Sequence, residues 1–339
     1  MSRVVLSVLA ASLGACASGA PMSYRALGFV ERLDPALDAL IPKDARMEIL
    51  ADGFRWTEGP VWVKDGGYLL FSDIPPNKVL KWKEGEGVSL YLHPSGYTGS
   101  KARGGEPGSN GLILDPQGRL VLCQHGDRKV ARMAAPTSKP EAKYETLTDR
   151  YQGKRFNSPN DAVYHTSGAL YFTDPPYGLE KLMEDSAKEL RFQGVYRLSP
   201  SGEVTLLDDT VTRPNGIAFS PDEKTLYVAN SDPEKAIWKA YDVKPDGTLA
   251  NGRIFFDATS KVGKLKGLPD GLKVDHKGNL FATGPGGVLV FSPQGKHLGT
   301  LMTGEATSNC GWGDDGTVLY VTVHMYLVRI KTSTKGKGF

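Results

Sequence analysis

Six residues whose side chains carry oxygen recur along the chain, each next to the start of an apolar segment. They are Glu58, Asn110, Asn160, Asn215, Asp270 and Asn309. The segment Pro159-Asn160-Asp161-Ala162-Val163 is typical, because a polar turn leads directly into apolar residues. Carboxylate and carboxamide oxygens are the ligands that Ca²⁺ takes in proteins. If the fold gathers these residues at one place, they predict a site for a hard divalent cation.

Glu58 and Asp270 are the two acids of this set. A carboxylate that faces a narrow channel is costly to desolvate unless a cation pairs with it. With the neutral oxygens of Asn160 and Asn215 they form a predicted ligand set that favours Ca²⁺, although Mg²⁺, Mn²⁺ or Zn²⁺ can occupy the same oxygens. The alternative interpretation is that the Asn-Gly and Asp-Gly pairs are turn residues without a ligand role.

Residues so far apart in sequence meet only if the chain folds as a closed array of repeats. The six segments recur at intervals of roughly 40 to 55 residues, which is typical of propellers. In each repeat two apolar strands flank a short turn, such as Gly66-Gly67 or Ser167-Gly168. The first strand of every propeller blade lines the central channel. The pattern therefore predicts an all-β chain that forms a six-bladed β-propeller over residues 46–335, with a central divalent metal site.

The ends and insertions of the propeller give further predictions. An N-terminal strand often pairs with the last blade, because an open ring would leave a sheet edge exposed. Residues 47–54 are predicted to be this closing strand. Residues 17–45 are an N-terminal extension, in which residues 31–40 are expected to form one or two helical turns. An insertion at residues 178–192 predicts a short helix.

Composition excludes some classes of partner. Charged residues make up 23% of the 339 residues and the net charge is +3, which is too small to imply a polyanionic partner. We therefore expect no nucleic-acid binding. No Gly-x-Ser-x-Gly segment leads from a strand into a helix, so a serine hydrolase of that type is not predicted. The oligomeric state is left open.

The first residues predict export. Arg3 precedes the apolar residues 4–13, and Leu13-Gly14-Ala15-Cys16 resembles a bacterial lipobox. Residues 1–16 are thus expected to be a signal peptide with a lipobox-like end. The protein would be periplasmic, or anchored to the bacterial envelope by a lipid on Cys16. A plain signal peptide, cut after a small residue, is the alternative.

Four further residues have more than one interpretation. His125 lies near the inner end of a predicted strand and can be a base, a substrate contact or a packed core histidine. Asp174 ends another strand and can bind a second, structural cation or stabilise the Pro175-Pro176 turn. Cys123 and Cys310 are expected to be buried free thiols, because sequence spacing alone does not show that they pair.

The order and spacing of these segments resemble the gluconolactonase / senescence marker protein (regucalcin) family. The resemblance covers nearly the whole chain beyond the extension and is closest to the bacterial gluconolactonases. The segments that carry it are Glu58-Gly59-Pro60-Val61-Trp62, Ser109-Asn110-Gly111-Leu112, Pro159-Asn160-Asp161-Ala162-Val163, Tyr171-Phe172-Thr173-Asp174-Pro175-Pro176-Tyr177-Gly178, Pro214-Asn215-Gly216-Ile217 and Pro269-Asp270-Gly271-Leu272.

The resemblance implies hydrolysis of sugar lactones such as glucono-1,5-lactone, by a divalent cation at the propeller axis. The residues that match the family's metal ligands are Glu58, Asn160, Asn215 and Asp270. The related paraoxonase-type lactonases add a pair of histidines above a calcium ion. Asn110 and His125 match that pair here, so only half of it is present and a two-histidine mechanism is not predicted.

The hypothesis that follows is a metal-dependent lactonase. The cation polarises the lactone carbonyl, and the base is Asp270 or a hydroxide held by the cation, with His125 as a second candidate catalytic residue. Asn110 and Asn160 are candidate contacts for substrate hydroxyl groups. Two alternatives use the same fold. One is an organophosphate or aryl-ester hydrolase, and the other is a non-catalytic, surface-anchored binding propeller.

Overall fold

The computed structural model describes residues 24–339, and almost all regular structure in that range is β-strand. The predicted signal peptide and Cys16 lie outside the described residues. In chain order the strands are β1 (Phe29–Arg32), β2 (Glu48–Asp52), β3 (Thr57–Val63), β4 (Tyr68–Asp73), β5 (Lys78–Lys83), β6 (Gly87–Leu92), β7 (Ser109–Leu114), β8 (Leu120–Gln124), β9 (Lys129–Met133), β10 (Tyr144–Thr148), β11 (Arg150–Tyr151), β12 (Lys154–Arg155), β13 (Ala162–Tyr164), β14 (Leu170–Asp174), β15 (Gly194–Leu198), β16 (Val204–Asp208), β17 (Pro214–Phe219), β18 (Thr225–Asp232), β19 (Lys235–Val243), β20 (Leu249–Asp257), β21 (Leu272–Val274), β22 (Leu280–Gly284), β23 (Gly287–Phe291), β24 (His297–Met302), β25 (Thr307–Gly313), β26 (Val318–Val323) and β27 (Tyr326–Lys331).

These strands form the six blades of a propeller, which confirms the predicted fold class. The six antiparallel sheets have the strand orders β3-β4-β5-β6, β7-β8-β9-β10, β13-β14-β15-β16, β17-β18-β19-β20, β21-β22-β23-β24-β1 and β25-β26-β27-β2. We number them as blades one to six. The first strands of consecutive blades contact one another in a closed cycle, so they surround the axis. The strands β11 and β12 form a separate hairpin.

Strand β2 closes the ring as predicted. It pairs antiparallel with β27, with Glu48 opposite Arg329 and Ile49 opposite Val328. The guanidinium Nε of Arg329 also donates to Glu48 Oε2 at 2.7 Å. Blade six therefore takes its outermost strand from the N-terminal side of blade one, and no edge is left between them.

The N-terminal extension is part of the folded body over its described residues. Strand β1 adds a fifth strand to blade five, with Phe29 opposite Met302. The expected helical turns are reduced to one 3₁₀ helix, Pro35–Ala39, whose first turn is capped by the Asp34 side chain. Leu37 of this helix is fully buried among apolar residues of blades five and six. The prediction missed β1 because its pairing partner lies far away in sequence.

Apolar side chains fill the spaces between neighbouring blades. Between blades one and six, for example, Trp82 packs against Tyr320 with ring centroids 5.7 Å apart. Cys123 and Cys310 are buried and free, as predicted. Because the core lies between the blades, the axis is left for polar side chains.

Short 3₁₀ helices are the remaining regular structure, and the described residues contain no α-helix. They are Pro35–Ala39, Lys64–Gly66, Leu182–Glu184 and Thr259–Lys261. The helix predicted for residues 178–192 is thus a single 3₁₀ turn, with Leu182 at φ 51°.

Residues 24–339 also include no helix with the length and apolar character needed to span a bilayer.

Candidate active site

One mouth of the central channel opens into a cavity of about 440 Å³. Five of the six recurring oxygen-bearing residues line it, namely Glu58, Asn110, Asn160, Asn215 and Asp270. Each belongs to a different blade, so the closed ring brings together residues that are far apart in sequence. Trp56, Leu265 and Leu268 form an apolar wall beside them.

Four of these side chains present an oxygen that has no partner in the protein. The Oδ1 atoms of Asn110, Asn160, Asn215 and Asp270 are buried and accept no hydrogen bond. An unsatisfied buried polar atom costs about 1–3 kcal/mol, and natural structures tolerate few of them. Four at one place, next to the Glu58 carboxylate, are a donor set that fits a hard divalent cation. Over residues 24–339 no three His, Cys, Asp or Glu side chains form a candidate metal cluster, so this set depends on its amides.

Bulges in the innermost strands direct these side chains into the channel. The pairing register shifts between Glu58 and Val61 in β3, and between Pro214 and Ile217 in β17. A bulge bends its strand and changes the direction of the side chains near it. Asn110 and Asn215 lie within β7 and β17, so the alternative interpretation as turn residues fails for them.

The glycines that follow the oxygen-bearing residues allow the inner strands to approach one another. A Cβ atom on Gly111 would lie 2.7 Å from the Asn160 carbonyl oxygen, and one on Gly216 would lie 2.2 Å from that of Asp270. Neither distance is compatible with a side chain at the glycine. The Asn-Gly pattern thus reflects crowding at the axis rather than turn geometry.

Hydroxyl groups on the second strands connect several blades to the next one. The Ser72 hydroxyl donates to the Asn110 carbonyl at 2.9 Å, and the Thr173 hydroxyl donates to the Asn215 carbonyl at 2.7 Å. Because these carbonyls belong to the cavity-lining residues, the bonds fix the backbone that carries the site.

Asp174 holds the loop that leads to Asn160. Its carboxylate accepts hydrogen bonds from the backbone of Asn157 at 2.8 Å and of Ser158 at 2.7 Å. Asp73 accepts from two backbone N–H groups in the same way in blade one. Burial raises the pKa of Asp174 to about 7, against these hydrogen bonds, which lower it. Its oxygens therefore support the loop rather than face a second cation.

The two acids of the cavity are held in an environment that resists ionisation. Burial, together with the nearby Asp161 and Glu106 carboxylates, raises the pKa of Glu58 to about 8, against hydrogen bonds from Gly59 and Asn309 that lower it. Burial also raises the pKa of Asp270 well above its ordinary value, with the Glu58 carboxylate as the next cause. Both groups carry charge most readily when a cation is beside them.

His125 lies behind the cavity wall. It is fully buried and is not among the residues that line the cavity. Its Nε2 atom is 3.4 Å from Asn160 Nδ2, and its Nδ1 atom is 3.1 Å from Glu106 Oε2. The second contact has ion-pair distance, but its angle is not that of a straight hydrogen bond, so Nδ1 also counts among the unpartnered buried atoms.

Glu106 is a cavity-lining carboxylate that the sequence analysis missed. It lies in the glycine-rich segment between β6 and β7, which has no strand periodicity. The length of that loop was the available signal, because a long connection near a channel is often functional.

Asn309 differs from the other five recurring residues. Its Oδ1 accepts a hydrogen bond from the Cys310 backbone at 2.9 Å, and its Nδ2 donates to Glu58 Oε2 at 3.1 Å. It does not line the cavity. Asn309 therefore supports Glu58 instead of presenting an oxygen.

Comparisons with known proteins agree on one family. The model of the SMP-30/Gluconolactonase/LRE-like region matches residues 56–325. A gluconolactonase from Zymomonas mobilis is 42% identical over 327 residues, which are 93% of this chain and 89% of that protein. The solved structure of XC5397, a gluconolactonase from Xanthomonas campestris, is 32% identical with a TM-score of 0.77, and the match covers 94% of this chain and 100% of that one. A calcium-binding regucalcin from Agrobacterium tumefaciens, 18% identical with a TM-score of 0.65, matches over 86% of this chain and 94% of its own, and shows the fold alone.

Proposed function

The chain belongs to the SMP-30/gluconolactonase/LRE-like family, and from this premise we propose that it is a metal-dependent lactonase that opens sugar lactones such as glucono-1,5-lactone. The observation that carries the proposal is the convergence of four unpartnered buried oxygens with the Glu58 carboxylate in one cavity. The similarity to two gluconolactonases supports the choice of lactones as substrates.

Glu58, Asn160, Asn215 and Asp270 are the proposed ligands of the cation. Their oxygens are of the type that Ca²⁺ prefers, and one relative of the same fold is named as calcium-binding. A bound divalent cation would polarise the lactone carbonyl and stabilise the oxyanion that forms when water attacks. Mg²⁺, Mn²⁺ and Zn²⁺ are the other ions to be tested.

The protein's own groups then bind the lactone and move the proton. A cavity of about 440 Å³ admits a single sugar ring, and Asn110 and Asn160 carry amides that can contact its hydroxyl groups. Asp270 is the proposed base for the attacking water. A carboxylate that the proposed cation keeps ionised can still accept a proton from the attacking water.

In this proposal His125 does not touch the substrate and affects the reaction only through the side chains of Asn160 and Glu106. Since it is fully buried, it reaches the substrate only by way of Asn160 and Glu106, which it contacts on opposite sides of its ring. Its proposed role is to position these two side chains.

The test is a pH-stat assay of the purified protein on glucono-1,5-lactone, corrected for spontaneous hydrolysis. Activity should be lost after treatment with EDTA and should return with one of the four divalent cations. Asp270→Asn should lower kcat by roughly 100-fold or more with the fold retained, since general base catalysis contributes about 10²–10⁴-fold.

An aryl ester and a phosphotriester, assayed in parallel, separate the alternative substrate classes. A chelator-resistant activity, or an Asp270→Asn variant with normal turnover, would contradict the proposal.

The exported location remains a separate proposal that comes from residues 1–16. If Cys16 is lipidated, the full chain should fractionate with membranes and take up labelled palmitate, and Cys16→Ser should do neither. Membrane fractionation of Cys16→Ser would show that the lipid is not the anchor.

A further inference from the structure

The carboxylate of Glu106 occupies a position that the proposed chemistry does not use. It lines the same cavity as Glu58 and Asp270, but its side chain is 33% exposed whereas Glu58 is almost fully buried. It forms no candidate metal cluster with other acidic, histidine or cysteine side chains in residues 24–339. Glu106 is therefore a charged acceptor at the cavity mouth, outside the proposed ligand set.

His125 lies next to this carboxylate, behind the cavity wall. The amide of Asn160 is assigned with Nδ2 facing the His125 ring, and its buried Oδ1 has no donor in the protein. Nδ2 can only donate, and His125 Nε2 must then accept and leave its proton on Nδ1. Nδ1 is the atom that lies 3.1 Å from Glu106 Oε2. One buried ring thus contacts both the Asn160 amide and the Glu106 carboxylate.

The loop that carries Glu106 is fixed by hydrogen bonds on both sides. Arg103 donates from Nη1 to the Gly126 carbonyl at 2.8 Å, and its Nη2 donates to the Gly178 carbonyl. On the other side of Glu106, the Gly108 backbone donates to the Ile74 carbonyl at 3.1 Å. The carboxylate is thus preorganised, which lowers the cost of using it in binding.

We propose that Glu106 is a specificity-determining residue that accepts a hydrogen bond from a hydroxyl group of the bound lactone, and that His125 is its positioning residue. This inference rests on the proposed function and adds a preference for polyhydroxylated lactones over unsubstituted ones. A carboxylate only accepts hydrogen bonds, so it pairs with a hydroxyl group and gains nothing from a methylene. A site built to bind a hydroxyl discriminates strongly against the analogue that lacks it, because its polar group is then left unpaired.

The first experiment compares two lactones of the same ring size, glucono-1,5-lactone and δ-valerolactone, which has no hydroxyl groups. In Glu106→Ala the KM for glucono-1,5-lactone should rise roughly 10-fold or more, as expected for a lost hydrogen bond to a charged group, with kcat changed by less than about 3-fold. The kcat/KM for δ-valerolactone should stay within about 2-fold of wild type, and Glu106→Gln should be intermediate. Glu203→Gln removes an exposed carboxylate that does not line this cavity and serves as the control.

The second experiment tests His125 through Glu106. His125→Leu should raise the KM for glucono-1,5-lactone in the same direction as Glu106→Ala, and the double variant should resemble Glu106→Ala alone, because residues that act together are not additive. His125→Asn keeps a donor near the Nδ1 position and should recover part of the effect. If His125→Leu does not fold, His125→Asn and the Glu106 variants decide the question.

The outcomes separate this inference from the proposed function. A wild-type protein that hydrolyses neither lactone overturns both. A wild-type protein that is active on glucono-1,5-lactone, with Glu106 variants that are unchanged or that lose activity equally on the two lactones, overturns the specificity role and leaves the lactonase proposal standing.

Discussion

Asn309 Nδ2 donates to Glu58 Oε2 at 3.1 Å although the two residues lie 251 positions apart in sequence. The same nitrogen is 3.5 Å from Asp161 Oδ2, so one amide group lies between two buried carboxylates. Blade six thus supports a proposed ligand of blade one directly. Blades six and one are therefore joined at the axis by this side-chain hydrogen bond, in addition to the ring closure by strand β2.

Replacement of Asn309 by leucine tests how much this contact stabilises the fold. The change removes the donor and leaves two buried carboxylates with an apolar neighbour, so we expect a loss of about 1–3 kcal/mol in the free energy of unfolding. Urea unfolding at pH 7.5 measures it. Gln294→Leu, at an exposed turn position, is the control and should change stability by less than about 0.5 kcal/mol. Equal stability of the two variants would mean that the amide does not support Glu58.

Binding of a divalent cation should raise the melting temperature independently of any activity. A ligand that binds only the folded state at 100 times its Kd adds about 2.7 kcal/mol, which corresponds to a rise of a few degrees. Glu58→Gln and Asp270→Asn should lose this rise, because each removes a proposed ligand. Glu180→Gln should keep it. Thermal scans of the EDTA-treated protein with each cation give the measurement, and a flat response to all of them would contradict the assigned ligand set.

Asp174 should make stability depend on pH. Burial raises its pKa from 3.8 to about 7 in the folded protein. Between these values the folded state keeps the proton and the unfolded state has lost it, so the contribution of Asp174 to stability is fully present at low pH and is lost as pH rises towards 7. The total change is about 4 kcal/mol.

The variant Asp174→Asn, which cannot ionise, isolates this contribution. The unfolding free energy of wild type minus that of Asp174→Asn should fall steadily from pH 4 to pH 7 and then level off. Asp246→Asn is the control, because the pKa of Asp246 is lowered, so its contribution changes only at more acidic pH and the difference from wild type should stay constant from pH 4 to pH 8. A difference that does not change with pH would show that Asp174 ionises normally in the folded protein.

The blades were predictable from sequence because their signals are local. Each hairpin combines two apolar strands with a short turn, and the order of Glu58, Asn160, Asn215 and Asp270 follows from one such residue per repeat. The closing strand was predictable as well, since a propeller needs its edge covered.

The features that sequence analysis missed depend on distant partners. Glu106 faces the cavity because Arg103 ties its loop to two other segments, and no periodic pattern marks that loop. The side-chain amide of Asn309 resembles those of Asn110 and Asn215 in sequence, and only its neighbours turn the nitrogen towards Glu58. Strand β1 is four residues long and acquires its structure by pairing with blade five.

Lys273 and Asp161 form an ion pair next to the proposed ligands, since Asp161 directly follows Asn160 in the chain. Lys273 Nζ is 4.0 Å from Asp161 Oδ2 and 3.4 Å from Asn309 Oδ1, and the lysine side chain lines the separate cavity of about 660 Å³ that also includes Trp62. Asp161 itself is almost fully buried. Burial raises its pKa, and the Lys273 charge lowers it.

A double-mutant cycle should show that these two charges are coupled. Lys273→Met leaves the buried Asp161 carboxylate without its cation, so we expect a loss of about 1–3 kcal/mol, less than for a fully buried pair because Lys273 is 28% exposed. In the background of Asp161→Asn the same change should cost about 1 kcal/mol less, because no charge is left unpaired. Lys266→Met, which breaks an exposed pair with Glu305, is the control and should stay within about 0.5 kcal/mol of wild type. Urea unfolding at pH 8 of the four proteins in the cycle measures the coupling. Strict additivity would mean that Asp161 is neutral in the folded protein and that the amide of Asn309 alone separates it from Glu58.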